Sequence, residues 1–428
     1  MQVVIGLTGG FGSGCSTIAE ILRSKLDFHK EKLSDALRVQ WAEHHDEEAR
    51  REQLQQLGDA LRREERSVLA RGAVEQAEQS EAEISTLALD GIRNLGEIDY
   101  LRERFGDRSF LFAVDAPTQT RWERVLDDYA ALDLSEADFY ADDTRDKDEE
   151  TAWGQQVQLC VDRSDVLILN GEARNGVQRL AHFEPLLREY VGLLTGKELR
   201  YPTLDEVLMN TAFSAAHQTR CLKRQVGAVI ATQSGEPISV GFNENPDRIK
   251  PCVDQFQECY RDRLRNEHFA ALAARHASCP RCGHKIKETI GPPWRCGCHA
   301  DVTSDCDCRT NLETDFFPDR AMAWCTALHA EERAILNARG RDLRGTVLYT
   351  TAFPCFLCAE KILHAGIEHI IFTEAYPDPY SGELLEAAEP AVTITKFEGV
   401  RSGRFDRIFG GVRAHKEEEI NERRRTAI

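Results

Sequence analysis

An α/β protein of two lobes is what three features of the 428-residue sequence predict. Short apolar runs alternate with long charged helical stretches up to about residue 195. A glycine-rich turn follows the first of those runs. After a polar stretch at Gly196 to Pro202, strand and helix patterns begin again. At roughly 100 to 200 residues per domain, the length accommodates a lobe over 1–195 and a second over 200–428.

The elements follow in order. Val3 to Leu7, Ile84 to Asp90, Phe110 to Val114 and Val166 to Asn170 are largely apolar, as strands buried on both faces of a parallel sheet must be. Between them, Ala49 to Gln79 is dense in Glu, Arg, Gln, Leu and Ala, which favour helix. The first lobe is therefore expected to be a doubly wound parallel sheet. Asp127 to Glu150 is acidic and poor in apolar residues, so it reads as a solvated loop or lid. In the second lobe the pattern predicts a helix at Leu204 to Ala216, strands at Val226 to Ala231 and Ile238 to Phe242, a helix at Ala327 to Ala338, a strand at Val347 to Thr351, a helix at Pro354 to Ala365 and a strand at Ile367 to Thr373. An irregular insert, about 246–324, interrupts it.

Composition narrows the partners. Lys and Arg total 54 against 72 Asp and Glu, a formal charge of −18. That is the reverse of the basic footprint of a dedicated nucleic-acid binder. Met1 to Leu7 runs straight into glycines without a basic leader, and no apolar stretch approaches the roughly 20 residues that span a bilayer. A cytoplasmic setting is expected. There the 14 cysteines, eleven of them between Cys252 and Cys358, are read as metal ligands or reactive groups rather than disulfides.

Val3 to Leu7 leads into Gly9-Gly10-Phe11-Gly12-Ser13-Gly14-Cys15-Ser16-Thr17 and then a helical run. A glycine turn between strand and helix exposes backbone N–H groups at the positive end of the helix dipole, which suits a phosphate. The spacing of Gly9, Gly14 and Ser16 is that of a P-loop, but Cys15 stands where the P-loop has lysine. Gly9, Gly12, Gly14, Ser16 and Thr17 are the candidate phosphate- or nucleotide-binding residues, and the missing cation argues against phosphoryl transfer. Over the first 195 residues or so the chain resembles the P-loop nucleotide kinases of the deoxynucleoside monophosphate and dephospho-coenzyme A type. Asp90-Gly91-Ile92-Arg93 stands where that family has an acidic signature.

The strongest chemical signal is His329-Ala330-Glu331 followed, 22 residues after Glu331, by Pro354-Cys355-Phe356-Leu357-Cys358. Zinc-assisted hydrolysis of an exocyclic amine needs three protein ligands, an open position for water and a carboxylate that moves protons without binding the metal. His329, Cys355 and Cys358 supply the ligands and Glu331 the carboxylate. This is the pattern of zinc nucleobase deaminases acting on cytosine or adenine.

From about Tyr201 to Phe397 the chain resembles the deoxycytidylate deaminase family, on Thr219 to Ile230, Gly241 to Pro246, Leu328 to Ile335 and Thr350 to Cys355. The resemblance implies a cytidine-deaminase-like α/β/α lobe and puts Lys223 or Arg224, with Asn243, beside the nucleotide. The pairing of the two lobes is similar to the bacterial antiphage cytidine deaminases. That likeness implies dCMP and dCTP as substrates, with dUMP and dUTP as products, a closed homo-oligomer and, in some members, control by a partner RNA. Two other classes share parts of the pattern: polynucleotide-editing deaminases, which the acidic charge disfavours, and non-catalytic nucleotide sensors, which the complete His, Cys and Glu set disfavours.

The insert carries Cys279 and Cys282 in a C-x-x-C knuckle, then Cys296 with Cys298 and Cys306 with Cys308. Four thiolate or imidazole ligands close a structural zinc tetrahedron, so at least one such ion is expected. Cys279 and Cys282 form the first pair, and spacing leaves the second open between Cys296 with Cys298 and Cys306 with Cys308.

Overall fold

The first apolar run forms β1 (Val3–Thr8), buried along its whole length. In the computed structural model, β1 lies between β3 (Thr86–Asp90) and β4 (Ser109–Asp115), parallel to both, with Ile5 opposite Ala88 on one side and Phe110 on the other. The structure describes residues 1–45, 47, 49, 51–80, 84–131, 134–147, 151–171, 176–264, 267, 325–375 and 379–410. Beyond β3 and β4 lie β2 (His29–Lys32) and β5 (Val166–Leu169), also parallel. Successive β1 side chains face opposite ways. Val3, Ile5 and Leu7 pack with Ile18, Leu22, Phe183 and Leu187, from helices Cys15–Leu26 and Gly176–Thr195. Val4 packs on the other face with Leu33, Leu69, Val74 and Ile98 from helices Leu33–Ala42, Val68–Glu78 and Leu95–Phe105. This is the expected doubly wound arrangement.

Three features of this unit depart from the sequence reading. The sheet gains β2, whose His-Lys-Glu-Lys sequence has no apolar signal because it forms an edge, where charge is tolerated and discourages further pairing. The acidic stretch read as a loop is largely helical, over Thr118–Ala131 and Glu136–Lys147. Its carboxylates are not all solvated: Asp143 is buried and accepts from Arg121 at 2.5 and 2.8 Å, while Asp146 accepts from Gln55 at 2.6 Å and Arg93 at 3.0 Å. Finally, the chain divides into Met1–Asn210 with Lys396–Ile428, and Thr211–Thr395, rather than breaking once near residue 200. The returning segment forms β11 (Gly399–Val400), antiparallel to β5, and buries Ile408 and Phe409 in the first unit's core.

The second unit holds a five-stranded sheet. In chain order its strands are β6 (Gly227–Ala231), β7 (Pro237–Phe242), β8 (Val347–Ala352), β9 (His369–Glu374) and β10 (Thr393–Lys396), and their spatial order is β10-β9-β8-β6-β7. β6 is antiparallel to β7 and β8, whereas β8 and β9 are parallel. Helices Ala330–Asn337 and Phe356–Ala365 bury Ala330, Ala334, Ala359 and Ile362 with Ala228, Ile230 and Leu348. A side chain at Gly241 would run into Ala330 O and Ala334 N, so glycine lets helix Ala330–Asn337 sit directly on β7.

The sequence elements recur within a residue or two, except that the helix expected from Ala327 starts three residues later, at Ala330; that expected from Pro354 starts at Phe356. Both delays matter, because they make His329 and Cys355 N-caps. The expected zinc ligands Cys279, Cys282, Cys296, Cys298, Cys306 and Cys308 lie outside the described residues. Among the described residues no helix is long and apolar enough to cross a membrane.

Candidate active site

His329 caps helix Ala330–Asn337 in an extended conformation, and Cys355 does the same for helix Phe356–Ala365. Two helix starts are thereby aimed at one point. Cys358 follows one turn into its helix, its N–H donating to Cys355 O at 2.9 Å. His329 Nδ1 lies 3.3 Å from the sulfur of Cys355 and 3.3 Å from that of Cys358. The three ligand atoms all lie within 4.8 Å of one another. Zinc bonds of about 2.3 Å to sulfur and 2.0 Å to nitrogen, at tetrahedral angles, put N and S about 3.5 Å apart. The donor set and its spacing fit zinc.

Glu331, the second residue of its helix, is 4% exposed. The Cys358 thiol donates to its Oε2 at 3.7 Å. Burial is the main reason its carboxyl lies above the ordinary carboxylate range. Hydrogen bonding from Cys358, and then from His329, brings the Cys355 thiol down to about 4, while Cys358 is pushed up. Its place at a helix start favours the Cys355 thiolate further. His329 in turn is raised, chiefly by its hydrogen bond to Cys355.

His329, Glu331 and Cys355 line a cavity of about 330 Å³ together with Lys223, Arg224 and Asn243. Of the residues expected at catalytic zinc and substrate, Cys358 alone does not line this space; it is buried behind it, against His329 and Glu331. Val226, Ala352 and Phe353 supply the cavity's apolar walls, and Phe353 sits edge-on to Phe372 with ring centroids 4.8 Å apart. Asn243 has a more particular task than its motif indicated. Its Oδ1 accepts from Val226 N at 2.7 Å and its Nδ2 donates to Arg224 O at 2.9 Å, so the amide fixes the backbone that carries the cations. Lys223 pairs with Asp262 at 2.5 Å. Cys221, Cys259, Arg261 and Cys325 also line the cavity, and sequence reasoning gave none of them a place there. Three of these lie outside the quoted motifs, and nothing local marks them.

The glycine-rich loop belongs to the first unit. Gly9 follows β1, Gly12 and Gly14 have φ of 78° and 108°, and Ser16 and Thr17 lie in the first turn of helix Cys15–Leu26. A side chain on Gly14 would strike Asn170 Nδ2, which donates to Ser13 O at 2.7 Å. Arg124 reaches the Gly12 carbonyl at 3.3 Å, and Ser16 Oγ donates to Asp90 Oδ2 at 2.7 Å. The loop is held from three sides, with Ser16 and Asp90 joined as they are where a P-loop binds a nucleotide's cation. Burial and the nearby Asp90 push the Cys15 thiol up to about 12, so a neutral group occupies the lysine position.

The first unit thus carries a P-loop-type turn, and the second a His329, Cys355 and Cys358 cluster beside Glu331. Residues 202–374 match the profile of the cytidine and deoxycytidylate deaminase zinc-binding region, and residues 5–153 that of an AAA domain. Among individual proteins, the chain is 29% identical to the deoxycytidylate deaminase of Saccharomyces cerevisiae over 46% of each chain. It is 26% identical to that of Enterobacteria phage T4, over 40% of this chain and 77% of the phage protein. The chain spans less than half the length of the first curated relatives it matches, 46% for Saccharomyces cerevisiae and 42% for Schizosaccharomyces pombe. A solved dCMP deaminase from cyanophage S-TIM5, in complex with dCMP and dUMP, aligns over 46% of this chain and 99% of its own, at 18% identity and a TM-score of 0.28.

Proposed function

We propose that the second unit deaminates deoxycytidine nucleotides, converting dCMP and dCTP to dUMP and dUTP with release of ammonia. The observation that carries this reading is the cluster of His329, Cys355 and Cys358 with buried Glu331, at the wall of a cavity that also presents Lys223, Arg224 and Asn243. His329 Nδ1 and the two sulfurs would hold zinc, whose chemistry is to polarise a water molecule and lower its pKa. Glu331 is the proton carrier. It takes a proton from the attacking water and returns protons to N3 of the ring and to the departing amine. Burial suits it to this work, because a carboxyl above its ordinary range is a stronger base in the ionised form. The apolar walls around Phe353 exclude bulk water, and Asn243 fixes the backbone that presents Arg224.

In the same reading the first unit binds a phosphate or nucleotide on Gly9, Gly12, Gly14, Ser16 and Thr17 without competent phosphoryl transfer, since Cys15 offers no cation. Structural zinc in the insert, a homo-oligomer, a cytoplasmic setting, depletion of deoxycytidine nucleotides in antiphage defence and control by a partner RNA are further parts of the proposal. Ammonia release is measured from dCMP, dCTP, cytidine and a tRNA with the purified full chain. Release from the two deoxynucleotides is expected, and release from the tRNA alone overturns the reading.

A further inference from the structure

The cavity's charge is the reverse of the chain's. Among its described lining residues Glu331 is the one carboxylate, against Lys223, Arg224 and Arg261, in a protein of net charge −18. Two of those cations come from the turn before β6. The third, Arg261, comes from helical residues 260–264, a segment with no counterpart in the sequence motifs. An ion pair braces that segment against the turn, Lys223 Nζ with Asp262 at 2.5 Å, and a second, Arg220 Nη1 with Asp254 at 2.6 Å, ties in the preceding helix Cys252–Phe256. Asp262 follows Arg261 directly, so the pair that anchors Lys223 also fixes the backbone from which Arg261 enters the cavity wall.

A guanidinium presents its N–H groups as a planar fork that matches two phosphate oxygens, whereas an ammonium acts as a point charge. We infer that Arg261 is a phosphate-recognition residue for the nucleotide substrate, and that residues 252–263, braced by Lys223–Asp262, decide between phosphorylated and unphosphorylated substrates. This rests on the deaminase reading. It gives Lys223 a positioning role through Asp262 and adds to phosphate recognition a residue the sequence motifs do not mark.

The test compares dCMP with deoxycytidine as substrates of the full-length zinc-loaded protein and its Arg261→Ala and Arg261→Lys variants. A charge-assisted hydrogen bond of the usual strength predicts that Arg261→Ala raises KM for dCMP about 10- to 100-fold with kcat nearly unchanged. The kcat/KM for deoxycytidine should stay as it was, and Arg261→Lys should recover part of the loss. Binding of the product gives a readout apart from turnover: the Kd for dUMP should weaken by a similar factor while that for deoxyuridine does not. An unchanged KM for dCMP overturns the inference, as does an equal loss on both substrates, which is what general damage to the fold produces. If the wild-type protein deaminates no deoxycytidine compound at all, the deaminase reading itself falls, which is a different result from a variant that behaves like wild type.

Discussion

At the scale of single residues, Glu331 carries the largest consequence for the least chemical change. Replacing it by Gln keeps shape and volume but removes the proton acceptor. Turnover should fall by about 10²- to 10⁴-fold, the range of one general acid-base group. Zinc should remain, since His329, Cys355 and Cys358 are untouched. Metal analysis beside ammonia release checks this, and near-normal turnover in Glu331→Gln removes Glu331 from the reaction. The same substitution has a stability signature in metal-free protein. Burial raises the folded-state pKa of Glu331 above the ordinary 4.5. The sign then follows: the group's favourable contribution is complete below the unfolded pKa and is lost as pH rises through the raised folded value. Glu331→Gln should therefore raise Tm at pH 7, and the gain should shrink as pH falls toward 4.5. A gain that grows on acidification contradicts the burial argument. Cys355→Ser should remove the catalytic ion while leaving any structural zinc of the insert in place. Wild-type protein is thus expected to hold more than one zinc per chain, and this variant one fewer.

Among elements, the start of helix Leu204–Ala216 shows how much one side chain can join. Thr203 and Glu206 form a reciprocal cap: Thr203 N donates to Glu206 Oε2 at 2.7 Å, and Glu206 N to Thr203 Oγ1 at 3.2 Å. The same buried carboxylate accepts a fork from Arg200, at 2.6 and 2.8 Å, and Val400 N at 2.9 Å. Burial opposes its charge, but the bonds from Arg200 and the two amides outweigh it and hold the carboxyl below 4.5. Its stabilisation is therefore present above the unfolded pKa and disappears as pH drops through the folded value. Glu206→Gln should cost about 3–5 kcal/mol at pH 7, the usual result of breaking one partner of a buried pair. Urea melts at pH 7 and below pH 4 measure this; a cost that stays constant with pH refutes it. Thr203 and Glu206 stand at cap spacing in the sequence, so this helix start is legible. Arg121 and Asp143 are not. Their pairing depends on two helices meeting, and a stretch of acids read by composition alone looks solvated. His329 and Cys355 were legible because their spacing is fixed within one unit of chemistry, whereas Arg261 reaches the cavity through an ion pair that spans 39 residues between Lys223 and Asp262.

On the scale of the whole molecule, the least legible feature is that the first unit is discontinuous. Gly399–Val400 is too short to register as a strand, and its partner β5 lies more than 200 residues earlier, so no local pattern announces the pairing. Its physical content is burial. Val400, Ile408 and Phe409 are 1%, 6% and 7% exposed within the core that holds Val166, Ile168, Phe183 and Tyr190. At roughly 1.5–3 kcal/mol for each such side chain, their sum approaches the total margin of about 5–15 kcal/mol that keeps a domain folded. A chain ending at Thr395 should therefore lose stability in the first unit although nothing in the N-terminal half has changed. Hydrogen exchange read by peptide locates the effect. Val166–Leu169 should exchange markedly faster, because its antiparallel neighbour and the side chains over it are gone, while Val347–Ala352, between β6 and β9 in the other sheet, should keep its protection. Equal protection of Val166–Leu169 in the truncated and full chains means that the returning segment adds little. Loss of protection in both sheets means that the two units do not unfold separately.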